Sequence, residues 1–476
     1  MIRLRPAVSP SAVALTALVV LSACSGVQGP GLPAPPDKHA LLPGSWVAPM
    51  PHQGSVPDLQ AWWARTGDQV LPELIIRAQA VSPNLSSAAA RLEQARAERT
   101  VGLAALGPNV DAAGSVSRGN SQFPLPLSRL SSGSITASWE LDLFDRRKMA
   151  LRAAEARFEG AQAQWHDARV SVAAETALQY LSVRHCEQVH ALLVEDRQTL
   201  AKLAELARAS SGAGLTAPGT ARIATAQVAS ATARERQQRS LCERDIKALV
   251  ALTGHPEGAL RNELSPVLGQ ALVAPPVFVV EALPAAVILQ RPDVIQAERA
   301  LIASANDFGE TQAARLPRLS LSGSIGMLSI RSRELASDID TWSIGPVRVQ
   351  WPVFDGGVID ARTAAARARY DDAARQLEAA VRHAVREVEQ ALLETEAVRE
   401  RRDQTQRSFE QMQQRHQSLV QRYRAGLAPR QEVEESARGL LDLRIALLSL
   451  DREQWIAGIS LYRAAGGGWK EPLPRS

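Results

Sequence analysis

Two carboxylates, Glu432 and Glu435, stand six and nine residues after Gly426. At helical spacing they share one face, a single turn apart. Close like charges repel, raise one another's pKa and attract cations. Glu434 is also present, so the residues by themselves read as a solvated helix face. Cys186 and Cys242 each lie 28 residues from Gly214. If Gly214 turns a helical hairpin, the two thiols stand at one level on opposite arms. In an oxidising compartment they could bridge if their Cα atoms come within about 7 Å. The alternative is two buried free thiols facing different neighbours. Other chemistry is sparse. The eight His are scattered with no His-x3-His pair, and Ser, His and Asp share no catalytic signature. The five Met, one of them the initiator, form no thioether cluster, which argues against a dedicated copper or silver site. No metal, cofactor or enzymatic activity is expected.

These residues must be positioned by a long chain of unusual composition. It has 476 residues, 45% of them hydrophobic, yet only 4% aromatic. The apolar fraction is carried by Ala, Leu and Val, which favours long, closely packed helices over a bulky core. The net charge is +4, without a basic block, so nucleic acid is not an expected partner. Met1–Arg5 is a short basic start, and Ala12–Leu21 is apolar apart from Thr16. Together they read as a secretory leader over residues 1–23, too short to span. Arg3 and Arg5 are its only charges, so its removal would leave about +2. Leu21-Ser22-Ala23-Cys24 resembles a bacterial lipoprotein box, which implies that Cys24 carries lipid. Ser25 after it implies sorting to the outer membrane. Residues 24–57 are dense in Pro and Gly and read as an extended tether.

The body is written twice. Pro83-Asn84-Leu85 to Leu106-Gly107-Pro108 returns as Arg291-Pro292-Asp293 to Arg315-Leu316-Pro317. Leu143-Phe144-Asp145 returns as Val353-Phe354-Asp355, and Gly214-Leu215 as Gly426-Leu427. The repeats cover about 58–254 and 281–466, with a linker at 255–280 and a tail at 467–476. Each contains a short helix, two alternating segments, a very long helix, a Gly-containing turn and a return helix. Ile135, Ala137, Trp139, Leu141 and Leu143 interleave with polar residues, as do Leu319, Leu321, Ile325 and Met327. Period-two alternation predicts strands at about 109–118, 134–144, 318–328 and 341–353. The parity of the last changes at Gly345-Pro346, where a bulge would explain the switch. Apolar and polar faces of this length suit transmembrane barrel strands, with a small soluble sheet as the alternative. Four strands cannot close a barrel, and an open edge is not tolerated in lipid, so spanning strands would need several chains.

The long helices are predicted within hairpins at about 149–252 and 359–465. Met149–Ser211 and Ile359–Ala425 contain no proline, and Gly160 is their only glycine. Leu151, Phe158, Trp165 and Val172 recur every seven residues, as do Tyr370, Leu377, Ala384 and Ala391. Sustained heptads imply supercoiling against neighbours.

A lipid anchor, four strands and two tandem hairpins resemble the TolC-like outer-membrane efflux channels, in the lipoprotein branch often called the NodT or OprM type. The motifs that carry the resemblance are Trp62-Trp63 before Leu71-Pro72-Glu73-Leu74, and Gln290-Arg291-Pro292-Asp293-Val294 with Ala297-Glu298 and Leu301. Leu316-Pro317-Arg318-Leu319 and Phe354-Asp355-Gly356-Gly357 add to it. The resemblance implies a mainly α fold with a membrane β-barrel, completed as a homotrimer. It implies a passive conduit for small molecules, working with a periplasmic adaptor and an inner-membrane transporter of the resistance-nodulation-division class. A type I secretion channel and a periplasmic adaptor or scaffold lipoprotein are the alternatives. The lipoprotein box and the Arg291 segment argue against the first, and the missing lipoyl-like region argues against the second.

The resemblance also gives the sparse residues roles. Glu432 and Glu435 fall where the family commonly has Asp, lining a periplasmic constriction as rings of carboxylates. Gly214, Leu215, Gly426 and Leu427 fall at hairpin tips that dock the adaptor. Tyr423 matches a tyrosine that helps latch some members closed. The usual partners of that latch are replaced here by Thr220 and Ala428.

Overall fold

The computed structural model describes residues 42, 63, 67–119, 127–270, 288–333 and 336–467. The leader, Cys24, nearly all of the tether and residues 468–476 lie outside the described residues. In chain order the elements are α1 (Val70–Val81), α2 (Pro83–Ala104), β1 (Asn109–Gly119), β2 (Ser128–Leu141), α3 (Arg146–Gly212) and α4 (Pro218–Thr253). Then come α5 (Glu257–Leu268), α6 (Pro292–Ala313), β3 (Arg318–Arg331), β4 (Ala336–Gln350), α7 (Val358–Arg424) and α8 (Arg430–Ala464). The two long helices, α3 and α7, each have 67 residues. At about 1.5 Å per residue each runs for roughly 100 Å. Among the described residues no helix is long and apolar enough to cross a membrane.

The chain divides into two compact units. The first takes Leu92–Ala161 and Ala297–Leu377, and so holds all four strands. Its sheet is antiparallel in the order β1-β2-β3-β4. β2 and β3 pair along their length although α3, α4, α5 and α6 lie between them in sequence. The register slips between Leu321 and Gly323, where β4 spends Gly345 and Pro346 against one residue of β3. That bulge accounts for the parity change in the sequence. The strands are longer at their turn ends than alternation alone indicates, since β2 begins at Ser128 and β4 at Ala336. Ser131, Ser132 and Ser134 give no apolar rhythm there. Pairing with Gly326–Ser329 extends the ladder through them.

The second unit takes Asp37–Arg91, Gln162–Gln296 and Glu378–Ser476. Its core is made by α1, which buries Leu71, Leu74, Ile75 and Ala78, together with Tyr180, Leu181, Ile246 and Leu249. The stretch 255–280, read as a linker, carries the helix α5. Its apolar residues Leu260, Leu264, Val267 and Leu268 follow helical spacing, and Leu260 and Leu264 are fully buried. The heptad seam of α7 is buried at Tyr370, Leu377, Val381, Ala384, Val388 and Ala391. In α3 the corresponding Leu151, Phe158 and Trp165 are only half-buried. Arg96 and Arg99 lie over the Phe158 ring, and Arg169 lies over Trp165, so guanidinium groups cover these aromatics.

Candidate functional site

The sheet presents two chemically different faces. Residues opposite one another in an antiparallel pair share a face. One face carries the rows Trp139–Leu321–Val347, Val110–Ala137–Gly323–Ile344 and Ala112–Ile135–Ile325–Trp342. The other carries Asn109–Ser138–Ser322 and Asp111–Thr136–Ser324–Ser343. Its hydroxyls meet across strands, with Ser115 Oγ 2.8 Å from Ser132 Oγ and Ser324 Oγ 2.9 Å from Ser343 Oγ. Over these helix-proximal rows an apolar surface opposite a serine-rich one suits lipid on one side and water on the other. Towards the turn end the contrast is lost, with Ser131, Ser329, Asp338 and Asp340 on the first face and Leu130, Leu328, Ile330 and Ile339 on the second.

Each repeat ties its strand end to its short helix with a tryptophan. Trp139 Nε1 donates to the Leu106 carbonyl at 2.9 Å, and Trp351 Nε1 donates to the Arg315 carbonyl at 3.0 Å. The rings themselves stay exposed, as expected of an aromatic girdle. The strand-to-helix corners also repeat, with one difference. Asp355 caps α7, accepting from Gly357 N at 2.9 Å and Ile359 N at 2.7 Å. These backbone donors hold its carboxyl below the usual range. In the first repeat the capping carboxylate is Asp142, which accepts from Arg147 N and Lys148 N. Asp145, the sequence counterpart of Asp355, has φ of 57° and pairs with Lys148 instead.

Two buried arginines organise the second unit. Arg291 donates to the Ala464 carbonyl at 2.8 Å, to Asp293 at 2.7 Å and to Glu387 at 2.6 Å. It thereby joins the start of α6 to α7 and to the end of α8. Arg184 on α3 reaches Asp68 at 2.8 Å and the Gln270 carbonyl at 3.1 Å, while Tyr180 OH donates to Asp68 at 2.5 Å. The other carboxylate oxygen of Asp68 caps α1, accepting from Val70 N and Leu71 N. Only Arg291 stood out in the sequence. Tyr180 and Arg184 are neighbours one turn apart on α3, but Asp68, the carboxylate that joins them, lies more than a hundred residues away in sequence and leaves no local signal.

The hairpin tips are near copies. Gly214 has φ of 74° and Gly426 of 73°, a left-handed geometry that glycine adopts without strain. Leu215 N donates to Ser210 O at 2.9 Å and Leu427 N to Arg422 O at 2.8 Å. Gly214 N and Gly426 N donate to Ser211 O and Tyr423 O. This pattern is the Schellman motif, which normally buries the following apolar residue against the helix. Here Leu215 and Leu427 are 79% and 70% exposed.

Just past the second tip, Glu432 lies in the first turn of α8, where a carboxylate complements the helix dipole. Glu435 is exposed and accepts from Gln431 Nε2 at 2.9 Å, while Glu434 pairs with Arg430. Tyr423, half-exposed, lines a cavity of about 640 Å³ with Leu203, Phe409, His416, Arg430 and Glu434. Thr220 donates only its backbone N–H, to Ala217 O. On the other hairpin a disulfide joins Cys186 to Cys242, with Cα atoms 5.4 Å apart. Among the described residues no group of His, Cys, Asp and Glu could hold a metal ion.

A family model described as Outer membrane efflux protein matches residues 74–255 and 283–467, one match per repeat. The chain belongs to the outer membrane efflux protein family. Over 487 residues it is 28% identical to outer membrane protein OprJ of Pseudomonas aeruginosa, covering 98% of this chain and 97% of the relative. It is 27% identical to the toluene efflux pump outer membrane protein TtgC of Pseudomonas putida, covering 96% and 95%. The solved outer-membrane channel OprN aligns with a TM-score of 0.79 at 26% identity, over 93% of this chain and 99% of that one. The Campylobacter jejuni CmeC channel shares the fold, with a TM-score of 0.78 at 22% identity over 93% and 95%. This efflux protein is therefore an outer-membrane channel whose two-faced sheet is its membrane part and whose long helices are its periplasmic part.

Proposed function

We propose that three copies of this chain assemble one gated conduit in the outer membrane, through which a transporter's small-molecule cargo leaves the periplasm. The observation that carries the reading is the four-stranded sheet whose helix-proximal half has one apolar and one serine-rich face, with two unpaired edges, β1 and β4. Edges that lie in hydrocarbon must be paired. Twelve strands from three chains make a closed barrel with a polar lumen, and the long helices make the periplasmic tunnel. Cys24 carries the lipid that holds each chain to the membrane. The exposed Leu215 and Leu427 at the tips dock a periplasmic adaptor, which couples the conduit to an inner-membrane transporter of the resistance-nodulation-division class. Relatives named for toluene efflux and for pyoverdine export support a cargo of small molecules.

The gate in this reading is the ring made three-fold by Glu432 and Glu435, with Tyr423, which shares a cavity with Arg430 and Glu434, as its latch. Close carboxylates in a narrow aperture repel one another and attract cations. No chemistry is performed on the cargo. Single-channel conductance in planar bilayers tests the reading, comparing the native protein with Glu432→Ala plus Glu435→Ala. A small, cation-preferring native conductance that grows and loses its preference in the double variant is the expected result. An unchanged conductance removes the gate from these residues, and well-folded trimers without any pore would sink the channel itself.

A further inference from the structure

The lipid-facing side of the sheet ends in arginines. Arg118 on β1 is opposite Arg129 on β2, and Arg129 is opposite Arg331 on β3. They form one row on the same face as Val110, Ile135 and Ile325. The row lies at the turn end of the strands, remote from α3 and α7, hence at the outer surface. It stands four residues beyond the row of Gly133 and Met327, about 13 Å further along the strand. Neighbouring strands are about 4.8 Å apart, and like charges directly opposite destabilise a sheet. Arg331 is neutralised by Asp338 at 2.7 Å. Arg118 and Arg129 are exposed and have no carboxylate partner among the described residues. Residues 120–126, which connect their strands, contain no acidic residue. Arg129 is thus flanked on both sides by arginine.

We propose that this row binds the phosphates of lipid A, the headgroup of outer-leaflet lipopolysaccharide. A guanidinium offers a planar fork of donors that matches phosphate oxygens. One phosphate bridging Arg118 and Arg129 turns their repulsion into a shared contact. Beneath the row the same face runs through Val116, Ser131, Ser329 and Asp338 and then Gly114, Gly133, Met327 and Asp340, before the apolar row of Ala112, Ile135, Ile325 and Trp342 that would meet acyl chains. The proposal rests on the sheet spanning the outer membrane. It goes further in naming the lipid and the residues that hold it.

The test is native mass spectrometry of the full chain, purified as assembled trimers and titrated with lipid A, phosphatidylethanolamine or inorganic phosphate. Native trimers should retain lipid A at least about tenfold more tightly than the variant carrying Arg118→Gln, Arg129→Gln and Arg331→Gln, as two lost charge-assisted contacts imply. Arg129→Gln alone should weaken retention partly, whereas Arg348→Gln, on the serine-rich face, should not change it. Equal retention by native and triple-variant trimers would overturn the assignment. So would competition by inorganic phosphate at equal strength, because the row would then hold any anion. Triple-variant trimers that fall apart in lipid A-free detergent would show that Asp338 and Asp340 of a neighbouring copy neutralise the row, again overturning it. Pore formation in lipid A-free bilayers tests the channel separately, so its failure and the failure of the lipid site are told apart.

Discussion

Burial sets the behaviour of several single side chains, and His166 is the plainest case. It lies on α3, where burial, reinforced by the Arg169 charge, pushes its pKa down to about 4. An unfolded histidine titrates near 6.5. Above that pH both states are neutral at this position and the residue costs nothing. Between about 6.5 and 4 the unfolded chain binds a proton that the folded chain refuses, so stability falls as the pH drops. His185, also lowered chiefly by burial, adds in the same direction. The expected outcome is a melting temperature that declines from pH 7 to pH 5, with a shallower decline in His166→Gln. Parallel slopes for both proteins would remove His166 as a source. Such single-residue behaviour was hidden in the sequence, where His166 is one of eight scattered histidines. The same holds for Asp68, which the fold alone brings to Tyr180 and Arg184.

Elements were far easier to read than contacts. α3 and α7 follow from the absence of proline and the near absence of glycine over more than sixty residues. The strand centres follow from alternation, and the bulge from a break in its parity. Physical pairing, which leaves no mark in local sequence, set the outer ends of β2 and β4. α5 has helical spacing at Leu260, Leu264, Val267 and Leu268, but it is only 12 residues long and holds Pro266, which makes so short a pattern resemble a linker. The hairpin of α3 and α4 was readable in a further respect, since equal spacing from Gly214 puts Cys186 and Cys242 at one level. Their disulfide closes a loop of 56 residues, which the chain-entropy account values at about 4 kcal/mol. Two charged pairs lie between it and the tip, Arg234 with Asp196 at 3.3 Å and Arg197 with Glu235 at 2.5 Å. These partly exposed pairs do not replace a covalent link, since ion pairs near the surface contribute little. Reduction, or Cys186→Ala with Cys242→Ala, should therefore lower the melting temperature by several degrees and open this hairpin to proteolysis first. The α7–α8 hairpin, which has no disulfide, should keep its resistance. Equal loss at both hairpins would place the effect on global stability instead.

For the assembled molecule, the decisive property is that neighbouring residues of one strand face different solvents. Ile325 sits mid-band on the apolar face, beside Ile135 and Trp342, and Ser324 sits on the serine-rich face, beside Thr136 and Ser343. An arginine placed in hydrocarbon near the bilayer midplane costs about 2–4 kcal/mol, while in a lumen it stays hydrated. In the proposed trimer the lipid-side penalty is multiplied by three, since each assembly carries the substitution three times. Ile325→Arg should therefore depress the yield of membrane-inserted trimer and lower the temperature at which trimers dissociate. Ser324→Arg should leave both near native. It should instead shift the barrel's ion preference towards anions, because three guanidiniums then line the water-filled path. Heat-dissociation gels and reversal potentials in salt gradients read the two effects. The same sensitivity at both positions would mean that the sheet is covered by protein on both faces, and the assignment of lipid to one side and cargo to the other would fall with it.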